Sequence, residues 1–307
     1  MTLKWSLGAV AGICSLTAIL LNLLIFLPVF RLAFMARKST VYIIAFFNII
    51  SDLSQLATIA FYLAPSIMAD RFIGTGELGN SGGLSIGGFF LFAWYMESLI
   101  QIVMAVNRLT IITFKKYDLF TFRFTILIFF FLFLFNAIAA YIGQSILPCC
   151  PFVFDHQFLT VRFIPQDGVY NYTFFILRSF DFLSTAVSTV CYIVVFFTIR
   201  RAGAQVAANV SRDRSKQDVK YLMHFAFISI FYVFSVATFE ILPHIVPSGQ
   251  VEWFVIVPVL ITFNCSSNSL IYLFVNREVQ KSLPIPWMRN HFSKSVASST
   301  AARTIDT

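Results

Sequence analysis

Two acids and three amides stand inside otherwise apolar stretches of this chain: Asp52, Glu97, Asn22, Asn264 and Asn268. A carboxylate at mid-bilayer costs about 2.5–3.5 kcal/mol on insertion scales, so such acids should face a protein interior and find partners there. Counting back from Asn107 at a helical rise places Glu97 about 15 Å from the inner end of its helix. The five side chains can therefore form one polar cluster at mid-depth. Two acids in it could share a proton or hold a sodium ion, and either would bias one conformation over another. A water-filled hydrogen-bond network that only specifies packing is the competing reading. Tyr272 follows on the same segment as Asn264 and Asn268.

Nearer the opposite ends of their segments, Arg178 and Asp181 are three apart, and Glu240 and His244 are four apart. Such spacings put each pair on one helix face. These residues could bind a polar stimulus, pair between helices or snorkel to an interface, and pairing is the simpler expectation. Trp94 and Tyr95 are further candidates for a ligand pocket. Enzyme chemistry finds no foothold. His156, His224, His244 and His291 are scattered, and no His-x-x-x-His or Gly-x-Gly-Asp occurs. Gly83-Leu84-Ser85-Ile86-Gly87 matches Gly-x-Ser-x-Gly, but it enters an apolar span instead of a strand-to-helix turn. Cys14, Cys191 and Cys265 lie within apolar segments and read as small core residues, while Cys149 and Cys150 sit in a loop where oxidation can occur. No zinc spacing appears, so neither a metal centre nor a cofactor is expected.

The elements that must position these residues are seven apolar segments, at about 7–30, 40–68, 87–112, 124–147, 172–199, 221–245 and 251–275. A helix of about 20 residues crosses a hydrocarbon core of about 30 Å, and each segment is long enough. Hydrophobic residues make up 58% of the 307 and charged residues only 12%. Soluble chains carry about 25% charged residues, so this composition belongs in lipid. The 38 phenylalanines, with runs such as Phe129-Phe130-Phe131, fit packing against acyl chains better than an aromatic ligand box. The positive charges set an orientation. With the N-terminus outside, 18 of the 22 Lys and Arg fall on the cytosolic side, leaving Lys4, Arg71, Arg162 and Arg178 outside. The net charge of +8 is spread in short groups at segment ends, which suits anionic lipid and a cytosolic partner and not nucleic acid.

The expected fold is an all-α membrane protein: a seven-transmembrane helix bundle with the N-terminus outside and the C-terminus cytosolic. It forms one receptor domain over 1–283 and a disordered, Ser/Thr/Ala-rich cytosolic tail over 284–307. No cleavable signal peptide is apparent and the segment before the first span is tiny, so a stimulus must reach the bundle itself or its loops. The Gly/Ser-rich stretch 69–86 and the stretch 148–171 read as the longest outer loops. Trp5, Trp253 and Trp287 suit interfacial belts. Of three sequons, Asn171-Tyr172-Thr173 falls outside, Asn209-Val210-Ser211 inside and Asn264-Cys265-Ser266 within a span, so Asn171 is the candidate glycosylation site.

The last span ends Asn264-Cys-Ser-Ser-Asn268-Ser269-Leu270-Ile271-Tyr272, followed by Asn276-Arg277-Glu278. This resembles the seventh helix of rhodopsin-like G-protein-coupled receptors, Asn-Pro-x-x-Tyr and then a short amphipathic eighth helix, with Ser269 in place of the proline. Asn107-Arg108-Leu109 stands where that family has Asp-Arg-Tyr, keeping the arginine without its neighbouring acid. The family's Cys-Trp-x-Pro of the sixth span is missing, as is a cysteine before the third span. No Lys lies in the seventh span, so a retinal Schiff base is excluded there. Together with Ile50-Ser51-Asp52, Tyr62-Leu-Ala-Pro65 and Phe114-Lys115-Lys116-Tyr117, these departures are most similar to the nematode serpentine chemoreceptors of class x, over roughly 7–283.

The resemblance implies a chemosensory, olfactory-type receptor of the plasma membrane, in sensory-neuron cilia. Its partners would be a small-molecule ligand, a heterotrimeric G protein and the bilayer. Arg108 and Asn107, with Lys115, Lys116, Arg212, Arg214 and Lys216, form the expected G-protein surface. For most of these cations, topology and lipid contact explain the charge equally well. Asn22, Asp52, Glu97, Asn264, Asn268 and Tyr272 form the expected activation switch. Ligand binding in the outer cavity would favour outward movement of the sixth helix and open a cleft near Arg108. The competing functions are a seven-helix ligand-gated channel, which should show the opposite charge bias, and a membrane protein that does not signal.

Overall fold

A computed structural model describes residues 2–74, 76–116, 118–205, 230–247 and 249–283. Arg212, Arg214, Lys216, Asn209, His224, Trp287, His291 and the 284–307 tail lie outside the described residues. So does the 221–229 part of the expected sixth span.

The apolar segments fold as helices whose starts are fixed by short polar side chains. Helix α1 runs Thr2–Phe30 and continues through a widened turn, Arg31–Met35. Helix α2 runs Thr40–Thr58, passes through a second widened turn at Ile59–Leu63, and ends as Ala64–Ala69. Helices α3 and α4 span Ser81–Ile112 and Phe122–Tyr141. Helix α5 spans Tyr172–Gln205, α6 Ile230–Ile245, α7 Ile256–Val275 and the short α8 Arg277–Lys281. Ser39, Asn80, Thr121, Asn171 and Asn276 each accept a hydrogen bond from a backbone N–H in the first turn of the helix that follows. This satisfies one of the donors a helix start leaves orphaned. The widened turn in α2 immediately precedes Pro65, whose ring would clash with the carbonyl four residues back in a regular helix. Among the described residues, six helices are long and apolar enough to cross a membrane, and α6 is a shorter apolar one.

Helix α3 is the hub, packing extensively against α5, α2 and α4. Its inward face is buried from Gly83 to Thr110. Two apolar clusters surround it. One is built on Ile25, Ile43, Ile49, Ile100 and Met104, the other on Leu56, Leu63, Phe90, Tyr95 and Phe152. The phenylalanines of α4 divide as a lipid-facing helix requires: Phe129 is buried and stacked on Phe47, while Phe130, Phe131 and Phe133 are exposed.

Two stretches expected as loops are ordered. Ser81–Ile86 extends α3 by more than a turn, capped by Asn80. The stretch 148–171 carries an antiparallel hairpin, β1 (Phe152–Asp155) paired with β2 (Thr160–Phe163), so the chain is not wholly α-helical. β1 is apolar on both faces, and the polar–apolar alternation of β2 lasts only four residues, too short to count as a period. The hairpin closes one end of the bundle, called here the hairpin end; the Arg108 end is opposite. At the hairpin end Lys4 pairs with Asp70 at 2.9 Å and holds its carboxyl below the usual range, while burial lowers the His156 imidazole. Cys149 and Cys150 are joined in a disulfide between neighbours, both buried.

The glycines of the Gly83–Gly87 stretch serve packing. A Cβ on Gly87 would overlap the Phe152 carbonyl oxygen, so the bare backbone of α3 lets the hairpin seat. Gly88 faces only the flexible Gln144 side chain, at 3.3 Å. Gly87→Ala should therefore lower thermal stability in detergent by about 1–3 kcal/mol through overpacking against backbone, while Gly88→Ala stays near wild type. Equal melting temperatures for the two variants would show that the close approach does not exist.

Candidate functional site

Two polar clusters meet on neighbouring residues of α3, Glu97 and Ser98. Glu97 is fully buried, and Gln55 of α2 donates to its Oε2 at 2.6 Å while Asn264 of α7 donates to its Oε1 at 2.5 Å. One turn towards the Arg108 end, Asp52 Oδ2 accepts from Asn48 at 2.7 Å and from Asn268 at 3.4 Å. Asn22 of α1 donates to the Cys265 carbonyl and accepts from Ser269 at 2.6 Å. The structure thus brings Asn22, Asp52, Glu97, Asn264 and Asn268 into one network joining α1, α2, α3 and α7. Ser269, where the resembling family has proline, ties the continuous α7 to α1. Tyr272 is buried beyond this network, in the apolar cluster nearer the Arg108 end.

The network has more acceptors than donors. Asn48 Oδ1, Asp52 Oδ1, Gln55 Oε1 and Asn264 Oδ1 are buried with no hydrogen-bond partner among the described residues. Asp52, Glu97 and Cys265 each offer a ligand atom within 4.8 Å of the others. A donor set dominated by carboxylate and amide oxygens suits a hard cation or bridging waters, and the soft Cys265 thiol is a poor ligand for such a cation.

The second cluster is built on Asp181 of α5, which is 5% exposed. Its Oδ1 accepts from Trp94 Nε1 at 2.9 Å, from Tyr232 at 2.7 Å and from Ser98 at 3.4 Å. The Ser98 and Tyr232 hydroxyls are also 2.7 Å apart. One carboxylate oxygen therefore fastens α3, α5 and α6 together. Beside it opens a narrow cleft with Phe90, Trp94, Phe152, Asp181, Phe239 and Ile261 in its wall. The β-hairpin supplies Phe152 and Val161 to this lining.

The remaining candidates fall elsewhere. Tyr95 is fully buried and stacked on Phe180 instead of lining the cleft. Arg178 and Asp181 do not act as a pair: Arg178 is exposed and bonds Glu240 across helices at 2.6 Å, over the face of Phe174. His244 is exposed and stands apart from the cleft. Asn171 caps α5, and the Thr173 of its sequon is buried with its hydroxyl donating to the Gly143 carbonyl. At the Arg108 end, Asn107 is buried, Arg108 is half-buried, and Lys115 and Lys116 are exposed on the turn after α3. There Tyr42 and Lys38 both bond Glu278, latching α8 to the start of α2.

Sequence reasoning missed Gln55, Ser98 and Tyr232. Gln55 was readable, since a Gln three residues after Asp52 shares its helix face. Ser98 and Tyr232 carry no such signal, because serine and tyrosine are ordinary inside membrane helices.

The fold is that of rhodopsin: the crystal structure of squid rhodopsin superposes with a TM-score of 0.69 at 14% identity, covering 92% of this chain and 84% of that one. The protein is thus a seven-helix membrane protein of the rhodopsin type. The family model described as serpentine-type 7TM GPCR chemoreceptor Srx matches residues 13–276, and the chain belongs to that family. No curated protein matches the chain.

Glu97→Leu should destabilise the protein in detergent by about 1–3 kcal/mol, because it strands the Gln55 and Asn264 donors in the core. Glu97→Gln keeps an acceptor oxygen and should lose less than half of that. Equal melting temperatures for the two variants would mean that Glu97 is not the acceptor holding α2 and α7 to α3.

Proposed function

We propose that this chain is a chemosensory receptor that binds a small molecule in the cleft beside Asp181 and activates a heterotrimeric G protein at its Arg108 end. The observation that carries the reading is the Asp181 cluster. Tyr232 of α6 is held to α3 and α5 by the same carboxylate that lines the cleft. A ligand cation that engages Asp181 draws on the same carboxylate charge that holds Tyr232 and so loosens one of the ties of α6, beside the Arg178–Glu240 and Ser235–Leu260 bonds. The next residue along α3, Glu97, leads into the network on α2 and α7, so the same displacement reaches the Arg108 end through packed helices. Membership of a GPCR chemoreceptor family supports the partner assignment.

The charge distribution supports an N-terminus outside and the hairpin end facing the stimulus, with Arg108, Lys115 and Lys116 in the cytosol. The plasma membrane of a sensory cilium is the location this role requires. In a G-protein activation reporter under a panel of small odours, wild type should give a stimulus-dependent signal, and Arg108→Ala should lose at least ten-fold of it at unchanged surface expression. A ligand-gated current without G-protein activation would replace this reading with the channel. Silence from both proteins, each well expressed, would favour a membrane protein that does not signal.

A second role for the Asp52–Glu97 network rests on its unpartnered oxygens. A sodium ion or a shared proton there would favour the state in which the network is closed, giving the switch a chemical input. Thermal stability should then rise in sodium over equimolar choline in the wild type, and Asp52→Asn and Glu97→Gln should abolish the difference. A sodium effect that survives both substitutions would place the ion elsewhere.

A further inference from the structure

The cleft also carries information about what it binds, on the reading that it is the receptor's stimulus site. Its walls are aromatic and aliphatic, and Asp181 is the single charged residue among those lining it. The other polar lining residue, Ser235, spends its hydroxyl on the backbone carbonyls of Phe231 and Leu260. Asp181 is unevenly satisfied. Three donors converge on Oδ1, and no hydrogen bond reaches Oδ2 among the described residues. No Lys, Arg or His forms an ion pair with this carboxylate among those residues. Arg178, the nearest cation along α5, is committed to Glu240. A carboxylate that is 95% buried with no counter-cation is costly to hold unless something supplies a positive charge.

The surroundings say what that something is. The rings of Phe90, Trp94 and Phe152 border the same cleft, with Phe90 stacked on both Trp94 and Phe152. Ring faces attract cations, and an ammonium is stabilised most where water is excluded. We propose that the cleft selects a small hydrophobic amine, its ammonium on Asp181 Oδ2 and its hydrocarbon body among the aromatic walls. Alcohols and hydrocarbons of the same shape lack the charge that this carboxylate is missing, and carboxylic acids are repelled. The aliphatic walls discriminate little between carbon skeletons, so the class of head group is selected more sharply than the tail.

The test measures the thermal stability of the purified full-length protein with three matched pairs: 2-phenylethylamine and 2-phenylethanol, cyclohexylamine and cyclohexanol, and hexylamine and hexanol. At least one amine should raise the melting temperature at concentrations at least ten-fold below those its alcohol requires, and Asp181→Asn should abolish the preference. Val236→Phe narrows the cleft and leaves every donor to Asp181 in place, so it should abolish the shift even if Asp181→Asn fails to fold. Equal potency of amines and alcohols, no shift with any amine, or an amine preference that survives Val236→Phe overturns the proposal. The same pairs in the G-protein reporter separate this inference from the function it rests on. Amine binding without reporter activity leaves the ligand class standing and removes the receptor reading. Activation by the alcohols alone does the reverse.

Discussion

A hydrocarbon surrounding offers no water to a stray polar group, and the rest of this structure follows from that constraint. A buried acid must be met by protein, and the helices bring donors to at least one oxygen of Asp52, Glu97 and Asp181. Asp181 gathers Trp94, Ser98 and Tyr232, and Glu97 gathers Gln55 and Asn264. Each acid thereby joins three helices. Helix association in a membrane gains little from the hydrophobic effect, because lipid is as apolar as leucine, so polar bonds and close packing specify the bundle. The two acids together specify where α2, α5, α6 and α7 stand about α3.

Close packing supplies the other half at the hairpin end. The bare backbone of α3 at Gly87 admits the Phe152 carbonyl, and Gln144 bonds the Phe152 N–H and carbonyl together with the Leu84 carbonyl. The hairpin is thus fastened to α3 by backbone, and its Phe152 and Val161 side chains join the lining of the cleft. Gly8 brings α1 against Ala64 and Ile67 in the same way. Small residues at one end and acids at mid-depth divide the work of assembly between them.

Much of this was legible in the sequence and some was not, for physical reasons. The helices are plain because twenty apolar residues in a row have few alternatives, and the family is plain because its motifs stand in register along seven such runs. The mid-depth network was legible because an acid in an apolar span is expensive enough to announce a partner, which covers Asp52, Glu97 and the asparagines. Rotation about the helix axis was not legible. Arg178 and Asp181 share a helical spacing, yet one faces outward to Glu240 and the other inward to Tyr232. In a span apolar on every side, no hydrophobic stripe tells which face is buried. The hairpin was missed because four-residue strands leave no period to count, and Ser81–Ile86 because glycine reads as loop until its neighbour is known.

On the proposed function, the adjacency of Glu97 and Ser98 is what would couple the two clusters. Consecutive helical residues point about 100° apart, so one short stretch of α3 addresses α5 and α6 on one side and α2 and α7 on the other. A shift or rotation of α3 that follows the loss of a bond at Ser98 therefore moves Glu97 against partners that are themselves fully buried. Packed interiors do not deform continuously, so such a strain is relieved by a change to a second arrangement of the whole network. Ser269 contributes here by what it replaces. A proline would leave a free carbonyl in α7, whereas the serine hydroxyl bonds Asn22 and fixes α7 to α1. With α1 and α7 tied together, α6 is held to α3 and α5 by the Tyr232 hydroxyl and the Arg178–Glu240 pair and to α7 by Ser235, and of these ties the Tyr232 bond is the one that shares Asp181 with the cleft.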